Sequence, residues 1–489
     1  MLENFTAKLR NALEFWFTLS YHKLKLKLAK NPRKGVCLCC GKHAWTNIHH
    51  WCLSNDTLIF TKDGFDTIEN LVNKNLRINV QTHTGNFNPI ITTFSRTTKN
   101  LLSIKTIGCL PINCTPEHEF WTAQWAFKQS KKRLKEGKQG GSERTIVSYS
   151  WKKAKDLSEH DLVLIPKHKR QLHITKLGLD KLELTNETAW FFGYYMANGC
   201  SMPKYNKISI VVPLKRPEIA NRIVSMLTQA NINASIQFPK DKKAIIVYIS
   251  SDCLSYFLKE QFGNDAITKQ IPSFIFNNNN ELIVQSFLKG YFAGDGHTVK
   301  HRGSVYLSTS NRILAIQLQK LMTSFNLFMN IQIRPEQTST IRGQLVKSKK
   351  LYQVHSMTPN VAKFFNVEPY QGNRISKQNF ELENYFGVAI RRIDQINKPT
   401  KVYNIGVAND ESYTANNIAV HNCYRYTYTE IRQDWRLALK FTTELCYPCH
   451  DLGDRLRGLY NVDPDLQLKT RSKILNKLIE LRKKALGSD

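Results

Sequence analysis

Apolar and polar positions follow different periods in different parts of the chain. Residues 52–170 consist of short alternating runs separated by turn residues, a pattern typical of strands that predicts a compact all-β unit. Residues 185–383 combine alternating and helical runs, so we expect an α+β domain there. From residue 388 onward, three further runs predict strands: VAIRRIDQI, KVYNIGV and SYTANNIAV.

The chain has a nested organisation. Residues 1–51 and the residues after Cys423 are both basic and helix-like with Cys and His residues, and they enclose the two β segments, which resemble each other. This order predicts an insertion inside an insertion. The predicted domains are residues 1–51, 52–183, 184–384, 385–422 and 423–489.

Length and charge narrow the function classes. A chain of 489 residues is long enough for three or four domains, each with its own core. Its net charge of +31 favours nucleic acid over acidic small molecules as a partner, although part of the charge can serve solubility alone. No apolar run reaches the roughly 20 residues of a membrane span, and no signal-peptide pattern is found, so we predict a cytoplasmic protein without a membrane partner. Eleven cysteines then indicate metal ligands or nucleophiles.

Reactive residues stand together near the end of the second β segment. The stretch AVHNCYRY places His421, Asn422 and Cys423 in one row. An asparagine can attack its own main-chain carbonyl, an imidazole can polarise that carbonyl, and a thiol can accept an acyl group. A matching thiol, Cys52, stands at the head of the first β segment.

Four blocks occur in a fixed order around these residues. The stretch CLSNDTLIFTKDGFDTIENLV begins at Cys52, LPINCTPEHEFWT contains Thr115 and His118, KAKDLSEHDLVLIP lies within 152–166, and VYNIGVANDESYTANNIAVHNC ends at Cys423. Together they resemble the terminal blocks of inteins, the self-splicing protein elements. The resemblance implies an all-β splicing domain of the HINT fold over both β segments.

The resemblance also implies a reaction. Cys52 attacks the carbonyl of residue 51 and converts an amide to a thioester, with His118 supplying a proton to the amide nitrogen and Thr115 orienting the bond. Cys423 then takes over the acyl group by thioester exchange. Asn422 cyclises onto its own carbonyl with help from His421, and an S-to-N shift completes the ligation. The excised element runs from Cys52 to Asn422, 371 residues, and leaves 118 of the 489.

Two positions depart from the usual intein pattern. Asn404 stands where these elements often carry Asp, and Glu411 stands where many carry His. An asparagine hydrogen-bonds but cannot act as an acid or a base. We therefore expect splicing to be slower, or to depend more on His118 and His421.

The central segment contains an internal repeat. The stretch WFFGYYMANGC at 190–200 aligns with FLKGYFAGDGH at 287–297, so that Gly193 matches Gly290 and Gly199 matches Gly296. Both stretches resemble the paired motifs of LAGLIDADG homing endonucleases. The resemblance implies an α+β domain that is a monomer with a pseudo-twofold axis, two helices packed side by side, and double-stranded DNA as the partner.

In that family each motif helix delivers an acid into a shared Mg²⁺ site. The resemblance assigns Asp295 to this role in the second motif, but the matching position in the first is Asn198. Lys269, in TKQIPSFIF, stands where such domains place a catalytic lysine. Because an amide supplies no negative charge, we expect an impaired endonuclease or a nickase. The runs KISIVVPLK, KKAIIVYIS and LYQVHSM are the strands expected to contact DNA.

The flanks supply a different chemistry once joined. Four cysteines have the spacing of a four-thiolate Zn²⁺ site: Cys37, Cys40, Cys446 and Cys449. The joined flanks resemble an HNH nuclease, in which His50 would activate water while His49 and His450 would hold a catalytic metal. Phe441 departs from that pattern, so a zinc knuckle that binds nucleic acid without cutting is an equal alternative.

These inferences predict a multidomain precursor: small α+β zinc-binding, HNH-like halves interrupted by an intein that carries a LAGLIDADG endonuclease. The alternative is a non-splicing, multidomain protein that binds zinc and DNA. A mass change on expression distinguishes the two.

Overall fold

The computed structural model describes residues 52–74, 78–129, 142–179, 181–240, 243–299, 302–341, 344–369 and 379–422. These residues belong to one compact unit, Trp51–Cys423. The chain is multidomain, with a large sheet-rich part and an α+β part.

Strands and helices follow one another along the whole described part. The strands are β1 Leu53–Ser54, β2 Leu58–Thr61, β3 Gly64–Thr67, β4 Asn79–Gln81, β5 Phe87–Thr98, β6 Leu101–Thr106, β7 Ile112–Cys114, β8 Glu119–Gln129, β9 Ser142–Lys153, β10 Asp161–Pro166, β11 Gly199–Met202, β12 Lys207–Pro213, β13 Asn233–Gln237, β14 Ala244–Ser250, β15 Gly296–Val299, β16 Ser304–Thr309, β17 Asn330–Arg334, β18 Gln337–Ile341, β19 Gln344–Ser348, β20 Leu351–Ser356, β21 Asn379–Glu381, β22 Tyr385–Ile396, β23 Thr400–Val407, β24 Ser412–Ala415 and β25 Ile418–His421. The helices are α1 Ile68–Asn73, α2 Asn186–Asn198, α3 Pro217–Gln229, α4 Asp252–Phe262, α5 Ser273–Phe276, α6 Glu281–Asp295, α7 Arg312–Thr323 and α8 Pro359–Phe364.

One large sheet combines the two outer β segments. Its 15 strands follow the order β10-β22-β6-β7-β1-β23-β5-β4-β2-β24-β25-β8-β9, with β3 paired to β2 and β21 to β22. Strand β1 lies antiparallel between β7 and β23, so that Leu53 faces both Cys114 and Tyr403. Strands separated by the central segment therefore alternate in one sheet, and its buried residues form a continuous apolar core.

The central segment consists of two similar halves. Strands β11-β12-β14-β13 form one four-stranded antiparallel sheet, and β15-β16-β20-β17 form another. The three runs predicted as strands for DNA contact correspond to β12, β14 and β20. Helices α2 and α6 are buried between the halves, and apolar side chains from both halves join in one core.

The run SYTANNIAV, predicted as a single strand, is a hairpin, and that prediction was wrong. Strands β24 and β25 pair antiparallel with Ala415 opposite Ile418, and Asn416 and Asn417 form the two-residue turn. Their φ angles are 46° and 71°. Asparagine tolerates this left-handed conformation better than most residues, and a two-residue hairpin turn with two positive φ angles matches the twist of the flanking strands.

Lys320 of α7 lies in the interior, where the central segment meets the large sheet. The side chain is fully buried, and its Nζ donates to the carbonyl oxygen of Pro166 at 2.6 Å. Burial lowers the pKa of Lys320 from 10.5 to about 7. The neighbouring His168 is neutral above pH 5, because burial lowers its pKa to about 3.

This burial predicts a pH-dependent stability. Between pH 7 and 9 the unfolded chain holds a proton on Lys320 that the folded chain lacks, so the free energy of unfolding rises with pH, by about 2 kcal/mol from this residue. We expect Lys320→Met to remove that rise. The measurement is urea unfolding at pH 7 and pH 9, with both chains also carrying Asn422→Ala so that they stay intact. An unchanged pH dependence in the variant would contradict the assignment.

Candidate active sites

The first predicted junction is buried at the start of β1. Cys52 is fully buried, and its N–H donates to Oγ1 of Thr115 at 3.0 Å. The N–H of Thr115 returns a bond to the carbonyl oxygen of Cys52 at 2.9 Å. Thr115 follows β7 directly, and its carbonyl oxygen accepts the N–H of His118, which is fully buried. The Thr-x-x-His turn thus holds the backbone on the carboxyl side of the predicted bond to be broken.

The second predicted junction follows β25. Nδ1 of His421 lies 2.8 Å from the carbonyl oxygen of Asn422, and because the acceptor is a carbonyl, this nitrogen is the donor. The side chain of Asn422 is fully buried, and its Nδ2 donates to the carbonyl oxygen of Val407 at 2.9 Å. The N–H of Asn422 donates to the carbonyl oxygen of Glu411 at 2.9 Å. The imidazole therefore already contacts the carbonyl that cyclisation would attack.

Strand pairing brings the two junctions together. Strand β25 pairs antiparallel with β8, with Val420 opposite Phe120. Because the two chains run in opposite directions, continuing this register by two residues brings Asn422 to the level of His118. Thr115, three residues earlier, already holds Cys52. Residues 370 positions apart in the sequence therefore converge on one turn.

Three side chains lie around His421, in contact with it or one contact away, and sequence reasoning missed all three. The His421 ring lies edge-on to Trp151 with centroids 4.8 Å apart, and Trp151 lies 5.2 Å from the His83 ring. Nδ1 of His83 lies 2.7 Å from Oγ of Ser412, which pairs with His421 across the hairpin. Only the KAKDL block, which begins at Lys153, two positions after Trp151, offered a signal; His83 and Ser412 have none.

The two positions that depart from the usual intein pattern, Asn404 and Glu411, both lie close to the second predicted junction. Asn404 is buried in β23, and its Oδ1 accepts from the hydroxyl of Tyr413 at 2.9 Å. Glu411 contributes its backbone carbonyl to Asn422 and has a φ of 49°. The amide at 404 is thus used for hydrogen bonding, as the sequence predicted for it.

Two further cysteines, both buried, belong to this region. Burial raises the pKa of the Cys109 thiol to about 12, and it also raises the pKa of Cys114. Both thiols are therefore protonated at neutral pH and are poor nucleophiles. Neither is among the predicted nucleophiles.

Glycines bring helices α2 and α6 into backbone contact. A Cβ on Gly193 would lie 1.9 Å from the carbonyl oxygen of Phe287, and one on Gly290 would lie 2.0 Å from that of Trp190. In each contact a glycine of one helix faces a carbonyl oxygen of the other helix. Gly193 and Gly290 are 97 residues apart in the sequence, and so are Trp190 and Phe287. Any larger side chain would force the helices apart, so the repeated glycines have a packing reason.

The predicted acid positions lie at the ends of these helices. Asn198 is the last residue of α2, and Asp295 is the last residue of α6. A Cβ on Gly294 would lie 2.9 Å from Nδ2 of Asn198, so the first helix end reaches the second. Burial raises the pKa of Asp295 to about 6, against the opposing charge of Lys269.

Lys269 is buried beside the same helix end. Its Nζ donates to the carbonyl oxygens of Tyr195, Met196 and Gly199 at 2.9, 3.1 and 2.6 Å. Burial lowers the pKa of Lys269 to about 8, with Cys200 and Asp295 opposing. The lysine therefore caps the carboxyl end of α2 and also acts electrostatically on Asp295.

The oxygen atoms at the helix ends suit a hard cation only in part. The carboxylate of Asp295 and the amide oxygen of Asn198 are both ligand types that Mg²⁺ accepts, but they carry one negative charge between them. Within the described part of the chain, no group of three or more His, Cys, Asp or Glu residues could hold a metal ion. The predicted zinc and HNH-like residues, and the acceptor Cys423, lie outside the described residues: Cys37, Cys40, His49, His50, Cys446, Cys449 and His450.

Comparison with known proteins identifies part of the central segment. Residues 283–356 match the family model of the LAGLIDADG-like domain. The chain therefore carries a LAGLIDADG-like domain, as the paired motifs predicted. A crystal structure of I-DmoI in complex with DNA and Mn is similar at 15% identity, with a TM-score of 0.25, over 39% of this chain and 99% of that one.

Two curated relatives have very different names. An ATP-dependent DNA helicase Hel308 of Thermococcus kodakarensis is 28% identical over 415 residues, which are 76% of this chain and 36% of the helicase. An iron–sulfur cluster assembly SufBD family protein of Mycobacterium tuberculosis is 25% identical over 283 residues, 56% of this chain and 30% of that protein. The chain thus spans about a third of the length of these relatives. Among the described residues, no helix is long and apolar enough to cross a membrane.

Proposed function

We propose that residues 52–422 are an intein, which excises itself and joins residue 51 to Cys423. The observation that carries the proposal is the 2.8 Å contact between Nδ1 of His421 and the carbonyl oxygen of Asn422. This is the oxygen on which negative charge develops when the asparagine side chain attacks its own carbonyl carbon. A donor already in contact with it stabilises that charge without rearrangement.

The amino-terminal half of the reaction uses Cys52. Its sulfur forms a bond to the carbonyl carbon of residue 51, the C–N bond breaks, and the proton lost from the thiol ends on the freed amine. Thr115 holds the N–H of that nitrogen, and His118 is the proposed proton carrier. The thiol of Cys423 then attacks the thioester, and the thiol of Cys52 is released.

The carboxyl-terminal half uses Asn422. Its Nδ2 bonds to its own carbonyl carbon, a cyclic imide forms, and the nitrogen of Cys423 leaves as an amine that takes up the proton. The carbonyl of Val407 orients Nδ2, and His421 polarises the carbonyl under attack. An S-to-N shift then replaces the remaining thioester with an amide.

The different functions named for the two relatives support an inserted element. A DNA helicase and an iron–sulfur cluster assembly protein have no reaction in common, yet each is similar to this chain over about a third of its length. An insert shared between unrelated hosts produces such a pattern. The similarity to the helicase covers 76% of this chain, and the 371 residues from Cys52 to Asn422 are also about 76% of 489.

The LAGLIDADG-like domain supports a second activity, recognition of double-stranded DNA with divalent-metal-dependent cutting. The supporting observations are the glycine contacts between α2 and α6, with Asp295 and Asn198 at adjoining helix ends. Bound Mg²⁺ would activate a water molecule and stabilise charge on the phosphate. Asp295 and Asn198 would hold it, and Lys269 would lie beside them. With one acid replaced, we propose an impaired enzyme or a nickase.

For the flanks we keep the proposal of a small zinc-binding protein that resembles an HNH nuclease, with a zinc knuckle as the alternative. The precursor is proposed to be cytoplasmic and, in its endonuclease domain, monomeric. The competing proposal for the whole chain is a zinc- and DNA-binding protein that does not splice.

Intact mass spectrometry of the expressed chain decides between these proposals. We expect two products, a 118-residue ligated host and a 371-residue insert, because Cys52 and Asn422, the proposed ends of the insert, adjoin strands of one sheet. The control is Asn422→Ala, which removes the attacking amide and blocks excision. A single full-length mass for both chains would rule out splicing and favour the binding protein.

A further inference from the structure

Helix α7 connects the LAGLIDADG-like domain to the sheet that carries both predicted junctions. It lies inside the matched segment 283–356, yet several of its polar side chains bond to the large sheet. The Arg312 guanidinium donates to the backbone carbonyl and the carboxylate of Asp56, and Lys320 donates to Pro166. The helix is buried from Leu314 to Thr323.

Gln319 of α7 bonds to two loops of the large sheet, the β6–β7 turn at Gly108 and the β24–β25 turn at Asn417. Its Nε2 donates to the carbonyl oxygens of Gly108, at 2.7 Å, and Met329, at 2.9 Å. Its Oε1 accepts from Nδ2 of Asn417 at 3.1 Å. Nδ2 of Asn417 also donates to the carbonyl oxygen of Ile316, at 3.1 Å, so the side chain is held by α7 through two contacts.

Asn417 lies in the turn that begins the strand leading to the second predicted junction. It is the second residue of the β24–β25 turn, and Asn422 follows five residues later, directly after β25. Asn416, the first turn residue, is held by the sheet instead: its side chain bonds to Leu58 and Pro111. The turn is therefore held from both sides, by the sheet at one residue and by α7 at the next.

We infer that Gln319 and Asn417 are positioning residues for the cyclisation of Asn422, so that the LAGLIDADG-like domain supports the carboxyl-terminal half of splicing. The inference rests on the proposed splicing function. Strand β25 has only four residues, so the position of its turn affects where Asn422 lies relative to Val407, whose carbonyl oxygen accepts from Nδ2 of Asn422 at 2.9 Å. An error of about 1 Å in the position of reacting groups is enough to lower a rate about 100-fold.

The amino-terminal junction does not depend on these residues to the same degree. Gly108 lies in the turn between β6 and β7, ahead of Thr115, and its carbonyl oxygen also accepts the N–H of Ile331 at 2.8 Å. That turn keeps a contact to the central segment when Gln319 is replaced. The expected effect is therefore unequal at the two junctions.

The test measures each junction separately in the full chain. In a Cys52→Ala background, release of residues 423–489 reports cyclisation of Asn422. In an Asn422→Ala background, cleavage by added dithiothreitol reports the thioester at Cys52. We expect Asn417→Gly to slow the first reaction at least about tenfold and Gln319→Leu to slow it as well, while the second reaction stays within about twofold. Glycine adopts the φ of 71° at this turn position without strain, so the hairpin is retained.

Gln317→Leu is the matched control. Gln317 is an equally buried glutamine on the same helix, but its two bonds go to the backbone of Ile271, within the central segment. We expect it to leave both junction rates within about twofold of the parent rate. Equal losses at both junctions, or the same loss of cyclisation with Gln317→Leu, would show a general folding effect and overturn the inference. Unchanged cyclisation in both test variants would overturn it too, whereas a parent chain that cleaves at neither junction would contradict the splicing function itself.

Discussion

Replacing His421 with leucine is expected to slow release of the carboxyl-terminal flank by about 100-fold or more, while the thioester at Cys52 still forms at the parent rate. The reason is the hydrogen bond from Nδ1 of His421 to the carbonyl oxygen of Asn422. As Nδ2 attacks, that oxygen gains negative charge inside the fold, where a lost donor is not readily replaced by water. Leucine fills a similar volume beside Trp151 but donates nothing.

His421→Gln provides the control for this prediction. Glutamine presents an amide N–H that can reach the same carbonyl, so we expect it to recover part of the lost rate. The measurement is the rate of flank release in the Cys52→Ala background, with dithiothreitol cleavage in the Asn422→Ala background as the internal reference. Equal rates for His421→Leu and the parent would show that the imidazole is not used for this step.

Restoring the missing acid is the second large effect that we expect. Asn198→Asp should raise metal-dependent DNA cleavage about 100-fold or more, because a second carboxylate adds the negative charge that a bound divalent cation needs. The side chain at 198 already reaches the end of the other helix, close to Gly294. A carboxylate at 198 would therefore lie beside the end of the helix that carries Asp295.

The assay uses a plasmid in which the host reading frame is joined from codon 51 to codon 423, with Mg²⁺ or Mn²⁺. The parent chain, Asn198→Asp and Asn198→Asp with Asp295→Asn are compared, and the double variant should lose the gain. Calorimetric titration with Mn²⁺ alone gives a second readout that needs no DNA target. If Asn198→Asp neither binds metal more tightly nor cuts faster than the parent, the two helix ends do not form a shared metal site.

Much of the central segment could be predicted because the patterns that specify its helices and strands are local, and the helical pattern occurs twice. Two helical apolar runs each carry a glycine at the same place, 97 residues apart, which indicates two helices in close contact, and Gly193 and Gly290 make that contact. The strands of this segment were predictable for the same reason, because β12 and β14 alternate along their own length.

The hairpin at 412–421 could not be predicted from alternation alone. The apolar pattern continues through Asn416 and Asn417, and only the left-handed conformation of both residues turns the chain back. The residues around His421 could not be predicted from the sequence either. Trp151, His83 and Ser412 come from three distant parts of the sequence, and the pairing of strands brings them together.

The sequence by itself determined which groups are available for reaction: a thiol at 52, an imidazole, an amide and a thiol at 421–423, and one acid where a pair is expected. The chemical reactivity of a side chain follows from its residue type, so it can be recognised before the fold is known. Only the tertiary structure decided which groups meet. The register of β8 with β25 places Asn422 level with His118. Gln319 of α7 holds the turn that precedes β25. Such contacts depend on strand order and helix packing over hundreds of residues, which no local pattern specifies.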